Sequence, residues 1–178
     1  MKLGKILGVG ILATGLIFSG CLDEETETAA AIQVTGEKFP QFSAVNLSEE
    51  TVTNDIFAQK KITVINIWGT FCPPCIGEMP ELGEWARNMP ADAQIIGIIC
   101  DVNGNEDFQT IDAAKQILRE ANANFVNLIP NAAIFEYLQK VDAVPTTIFV
   151  DAQGNLIGEP VIGADVDSYK QRVEEYLK

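Results

Sequence analysis

Histidine is missing altogether from the 178 residues. With it go the commonest metal ligand and the usual side-chain base near neutral pH. Cysteine is scarce, four in all: Cys21, Cys72, Cys75 and Cys100. A structural zinc site needs about four Cys, His or carboxylate ligands, and these scattered thiols do not supply one, so no metal is expected. Basic residues are also few, 12 against 25 acidic ones, for a net charge of −13. Such a chain is repelled by nucleic acid and by anionic lipid headgroups. No flavin or nicotinamide motif occurs, so no bound cofactor is expected. The longest apolar run, Ile6 to Phe18, is shorter than the ~20 residues of a spanning helix. No internal repeat occurs.

What is present begins with that run. Lys2 and Lys5 precede it, and Ser19-Gly20-Cys21 follows, the pattern of a secretory leader. The Ser-Gly-Cys ending resembles a bacterial lipobox, which implies that Cys21 carries a lipid and becomes the mature N-terminus. The leader holds Lys2 and Lys5 and no acid, so the remainder is two units more negative than the −13 of the whole. After Cys21 come Asp23, Glu24, Glu25 and Glu27 among threonines and alanines, the composition of a solvated tether. Three regions are therefore expected: a leader over 1–20, a flexible acidic tether over 21–33, and one folded domain over 34–178.

Within that domain, hydrophobic periodicity sets the elements. Phe39, Phe42, Val45 and Leu47 fall in a loose extended stretch around Pro40. Ile62 to Trp68 is nearly all apolar and rich in β-branched residues, as a strand buried on both faces is. After Pro73-Pro74 a helix is expected to about Asn88, ending before Pro90. Strands are expected over Gln94–Cys100, Asn124–Ile129, Thr146–Val150 and Asn155–Ile162. Helices are expected over Phe108–Ala121, Asn131–Lys140 and Asp165–Leu177. Alternation followed by a hairpin predicts an α/β fold, a central mixed sheet flanked by helices.

The chemistry concentrates in Trp68-Gly69-Thr70-Phe71-Cys72-Pro73-Pro74-Cys75, where a buried strand passes into a helix. Cys72 falls at the helix N-terminus, where free amides and the helix dipole favour a thiolate. It is the expected nucleophile on a partner disulfide. Cys75, one turn further in, resolves the mixed disulfide by attacking Cys72. Pro73 and Pro74 stiffen the loop and remove two amide donors, which influences the redox poise. Glu78 lies three residues beyond Cys75 on the same helix face. It is either a proton shuttle for Cys75 or a solvated helix residue. Cys100, ending a buried strand, reads as a small hydrophobe rather than a redox group.

Trp68 to Cys75 resembles the active-site segment of the TlpA-like branch of the thioredoxin superfamily, which includes membrane-tethered reductases. Val144-Pro145-Thr146-Thr147-Ile148-Phe149-Val150-Asp151, followed by Gly154, resembles that family's second signature. The resemblance covers about Val34 to Lys178. It implies a thioredoxin-like fold, with an extra αβ insertion (about Asn105–Ile129) before a loop in which Pro145 is cis. It also implies that Pro145 lies against the redox pair and that the Val144 backbone pairs with a bound substrate strand. Trp68, Pro73, Pro74 and Thr146 are expected beside them on the substrate surface, with Trp68 and Phe71 either lining that surface or packing beside the pair. An acid near the pair is common in such proteins, at the place of Glu78.

The expected function is an extracytoplasmic, lipid-anchored thiol–disulfide oxidoreductase of the bacterial cell membrane, acting as a monomer. Its partners would be protein disulfides, oxidised cytochrome c apoproteins among them, and a membrane electron donor of the CcdA or DsbD type. Two alternatives stay open: a dithiol oxidase or isomerase, since the same motif serves both directions, and a non-catalytic binding lipoprotein.

Overall fold

The computed structural model describes residues 34–178; the expected leader, the tether and Cys21 lie outside the described residues. Along them run β1 (Val34–Lys38), β2 (Ser43–Asn46), β3 (Thr51–Thr53), a short 3₁₀ helix (Asn54–Gln59), β4 (Ile62–Trp68), α1 (Pro73–Asn88) and β5 (Ala93–Ile99). Then come α2 (Phe108–Glu120), β6 (Val126–Ile129), α3 (Ala132–Leu138), β7 (Thr146–Asp151), β8 (Asn155–Ile157), β9 (Val161–Ile162) and α4 (Val166–Tyr176). The strands form one mixed sheet in the order β1-β8-β7-β4-β5-β6-β2-β3, with β9 also paired to β7.

The two most buried strands sit at its centre. β4 is buried along its whole length, and it runs parallel to β5 with Trp68 opposite Ile99. On its other side it runs antiparallel to β7, with Asn66 opposite Thr147. Side chains alternate between faces. Val64 and Trp68 point into a core shared with Met79 and Leu82 of α1, Ala114 of α2 and Tyr169 of α4. Ile65 and Ile67 point the other way, against Phe57 of the 3₁₀ helix and Ile134 and Leu138 of α3. Helices thus cover both faces, and the central strands carry the active-site segment on a rigid support.

The expected strand Asn155–Ile162 is corrected: it is two strands, β8 and β9, separated by Gly158-Glu159-Pro160. Gly158 adopts φ +63°, a left-handed conformation that extended backbone lacks, and proline cannot donate to a ladder. The stretch around Pro40 is more regular than expected. β2 pairs with both β3 and β6, and β3 forms that edge of the sheet.

Gly97 of β5 shows how tightly the support is built. A Cβ there would collide with the Asn127 side chain and come within 3.1 Å of Trp68 Nε1. Asn127 Oδ1 accepts the Trp68 indole N–H at 2.9 Å in the buried layer beneath α1. Gly97→Ala therefore forces Asn127 aside and orphans a buried donor. The expected cost is about 2–4 kcal/mol, read as a drop in thermal unfolding midpoint of roughly 10 °C.

Candidate active site

Cys72 is the N-cap of α1, with Pro73 and Pro74 in the first two helical positions. This is where proline is tolerated, because those amides have no partner inside the helix. The first helical amide able to reach the Cys72 sulfur is therefore that of Cys75, which donates to it at 3.3 Å. Cys72 and Cys75 are joined, with S–S 2.07 Å and Cα–Cα 5.3 Å. Both are buried, Cys75 completely, and Pro73 and Pro74 are exposed above them. Attack from outside is therefore directed at Cys72, and Cys75 is reachable only through it.

The loop before Cys72 is clamped from β5's end. The Asp101 carboxylate accepts the Thr70 backbone N–H at 3.1 Å and the Thr70 hydroxyl at 2.5 Å. Cys100 beside it donates its N–H to the Trp68 carbonyl at 2.8 Å. Burial and the neighbouring Asp101 push the Cys100 thiol up to about 11, so near neutral pH it is not a thiolate. It lines an open groove of about 420 Å³ with Phe71, Phe135, Leu138 and Val144.

Opposite the pair, the Val144–Pro145 bond is cis. The Val144 carbonyl oxygen lies 3.5 Å from Cys72 Sγ, placed to accept from a thiol there. Pro145 is buried, and its carbonyl accepts the Gly163 N–H at 2.8 Å. Thr146 is also buried, with its hydroxyl donating to the Ala143 carbonyl at 2.8 Å, so only its backbone belongs to this surface. Trp68 is corrected as a substrate-surface residue. Of its two readings, substrate surface or packing beside the pair, the second holds: it is fully buried, its indole N–H held by Asn127. Phe71, 67% exposed, occupies the outward position instead.

Glu78 is not a solvated helix residue. It is 5% exposed and lies one turn beyond Cys75 on α1, in a polar cluster. Its Oε1 accepts from Asn66 Nδ2 at 2.8 Å, and its Oε2 lies 3.1 Å from the Tyr169 hydroxyl. Asn66 Nδ2 also donates to Thr147 Oγ1 at 3.1 Å. Burial lifts the Glu78 carboxyl to about 7, against the opposing hydrogen bonds from Asn66 and Tyr169 and with a small upward push from Glu81. A carboxyl group with that affinity gains and loses a proton at physiological pH, as general acid–base work requires.

Asn66, Thr147, Tyr169 and Asp101 were not among the expected site residues. Asn66 had a local signal, a polar residue inside an otherwise apolar strand. Tyr169 had none, since it reaches Glu78 from 91 residues away.

The family model described as Redoxin matches residues 34–171. The chain belongs to the redoxin family. This redoxin is 27% identical over 144 residues to the thiol–disulfide oxidoreductase ResA of Bacillus thuringiensis subsp. konkukian, covering 80% of this chain and 76% of that protein. It is 27% identical over 178 residues to the ResA of Halalkalibacterium halodurans, covering 98% and 90%. Among solved structures it resembles a secreted Mycobacterium tuberculosis disulfide oxidoreductase homologous to DsbE of E. coli. The TM-score there is 0.58 at 25% identity, over 75% of this chain and 95% of that one. The redoxin is a thiol–disulfide oxidoreductase of thioredoxin-like fold.

Proposed function

We propose that this redoxin is an extracytoplasmic reductase of protein disulfides, tethered to the bacterial cell membrane through lipidated Cys21. The Cys72 thiolate attacks one sulfur of a substrate disulfide, and the other sulfur leaves as a thiolate. Cys75, losing its proton to Glu78, attacks Cys72 Sγ and releases the second substrate sulfur. Two electrons pass to the substrate, and the Cys72–Cys75 disulfide remains. A membrane dithiol protein of the CcdA or DsbD type would return those electrons. Val144, Pro145 and the exposed Pro73, Pro74 and Phe71 form the docking rim, and oxidised cytochrome c apoproteins are among the substrates. The protein works as a monomer without a bound cofactor.

The observation that carries the direction is the amide count at Cys72. Strong oxidants of this class owe their potential to a stabilised reduced form. Here Pro73 and Pro74 remove two donors, and the Cys75 N–H reaches the sulfur at 3.3 Å. A thiolate so sparsely supported is a poor leaving group and a good reductant.

The test is the state of the pair in growing cells. Acid-quenched cells are alkylated and the protein is separated by mass. A pool mainly in the dithiol form supports the reductase, whereas a pool held as the disulfide in cells with an intact donor indicates an oxidase.

A further inference from the structure

Tyr169 is fully buried on α4, and among the described residues its hydroxyl oxygen has four polar neighbours, the Thr147 hydroxyl being one of them. The Gly163 carbonyl oxygen is 2.7 Å away and Glu78 Oε2 is 3.1 Å away. The Asp165 N–H donates to it at 3.3 Å. A phenol carries one proton, so it can donate to Gly163 or to Glu78, not both. The carbonyl of Gly163 has no proton to offer, and the carboxyl of Glu78 has one only when protonated. Glu78 Oε1 already accepts from Asn66, so a carboxyl proton belongs on Oε2, facing the phenol. With Glu78 protonated, both contacts are satisfied: the carboxyl donates to the phenol and the phenol to Gly163. With Glu78 ionised, two acceptors compete for one proton, and the charged acceptor makes the stronger bond.

Gly163 is tied to the docking rim. Its N–H donates to the Pro145 carbonyl at 2.8 Å. The strand leading into it, β9, pairs Val161 with Thr147 and Ile162 with Thr146. Asn66 Oδ1, buried with no hydrogen-bond partner among the described residues, marks the same cluster as short of one donor.

We propose that Tyr169 is a positioning residue of the redox centre, whose phenol proton swings between Gly163 and Glu78 and so relays the charge on Glu78 to the cis-Pro145 loop. This rests on the reading of Glu78 as the proton acceptor of Cys75. When Glu78 takes that proton, the phenol is freed to brace Gly163, and β9 holds the Pro145 loop against Cys72. When Glu78 is ionised, the brace is released. Among the described residues, the groups acting on Glu78 are Asn66 from β4, Tyr169 from α4 and Glu81 on its own helix; Thr147 from β7 bonds both Asn66 and Tyr169, and Cys75 lies one turn before Glu78 on α1. Lys170 pairs with Glu81 and with Asp167 at the margin.

The test is a pH titration of the isotope-labelled full chain by NMR in the disulfide form, where neither Cys72 nor Cys75 titrates. It follows the Glu78 carboxyl carbon and the Ala164 amide nitrogen, which shares a peptide bond with the Gly163 carbonyl. In the unaltered protein the two signals move with one midpoint. Tyr169→Phe removes the Ala164 response and raises the Glu78 midpoint by about one pH unit, because the ionised form loses a donor. Glu78→Gln abolishes the Ala164 response. An Ala164 signal that ignores the Glu78 titration in the unaltered chain overturns the relay, whether or not Tyr169→Phe folds. So does a response that survives Glu78→Gln. Neither result touches the reductase reading, which is decided separately by protein-disulfide turnover through Cys72.

Discussion

A chain carrying Cys75→Ala joins a protein substrate through one disulfide and does not let it go, while a chain carrying Cys72→Ser joins none. The difference follows from access. Cys72 is the outer thiol, at the first turn of α1, with the Val144 carbonyl 3.5 Å from its sulfur. Cys75 is completely buried and can reach only Cys72. Without Cys75 the mixed disulfide has no internal attacker and persists. Without Cys72 nothing attacks. Turnover of a disulfide-bonded protein falls about a thousandfold or more in either variant, because the two thiols act as one unit. Non-reducing electrophoresis and intact mass distinguish the trapped complex from the inert variant. Turnover that survives Cys72→Ser would contradict the assignment. An unaltered chain that binds a partner without turning it over would make this a binding protein.

Glu78→Gln changes both stability and rate, and their pH dependences identify the cause. Burial raises the carboxyl from 4.5 to about 7, so between those values the folded chain holds a proton that the unfolded chain has released. Stability from this group is complete below the unfolded value and is lost as pH rises through the folded one. Across that window the unaltered protein should lose stability on the order of 3 kcal/mol from this group. Glu78→Gln should flatten that slope, as measured by denaturant unfolding at several pH values. Exchange should slow by about a hundredfold near neutral pH, the scale of a lost acid–base group. A slope unchanged by the substitution would show that Glu78 is not the titrating group.

Much of this was legible in the sequence, for physical reasons that differ by element. The run Ile62–Trp68, apolar and rich in β-branched residues, read as a strand buried on both faces, and β4 is one. The helix after Cys72 was marked at its start by two prolines and at its end by Pro90, and α1 runs Pro73–Asn88. The redox pair and the cis bond before Pro145 followed from motif and family resemblance. Burial of individual side chains was harder to read. Trp68 and Phe71 are both aromatic and three residues apart; Trp68 is the last residue of β4, on the buried face of Val64 with Asn127 as its partner, while Phe71 lies beyond the strand. The break at Gly158–Pro160 had a composition signal that the apolar residues around it outweighed. The Glu78 cluster was out of reach of local pattern. Its members come from β4, α1, β7 and α4, and sequence separation carries no record of that convergence.

Reduction of disulfides by this redoxin is tested most directly by the reduction potential of the Cys72–Cys75 pair. Equilibration with defined thiol buffers should give a value near that of thioredoxin, ~−270 mV, as expected when two prolines replace amide donors at the thiolate. A value near ~−120 mV, that of the strong oxidant DsbA, would contradict the account and make the protein a donor of disulfides.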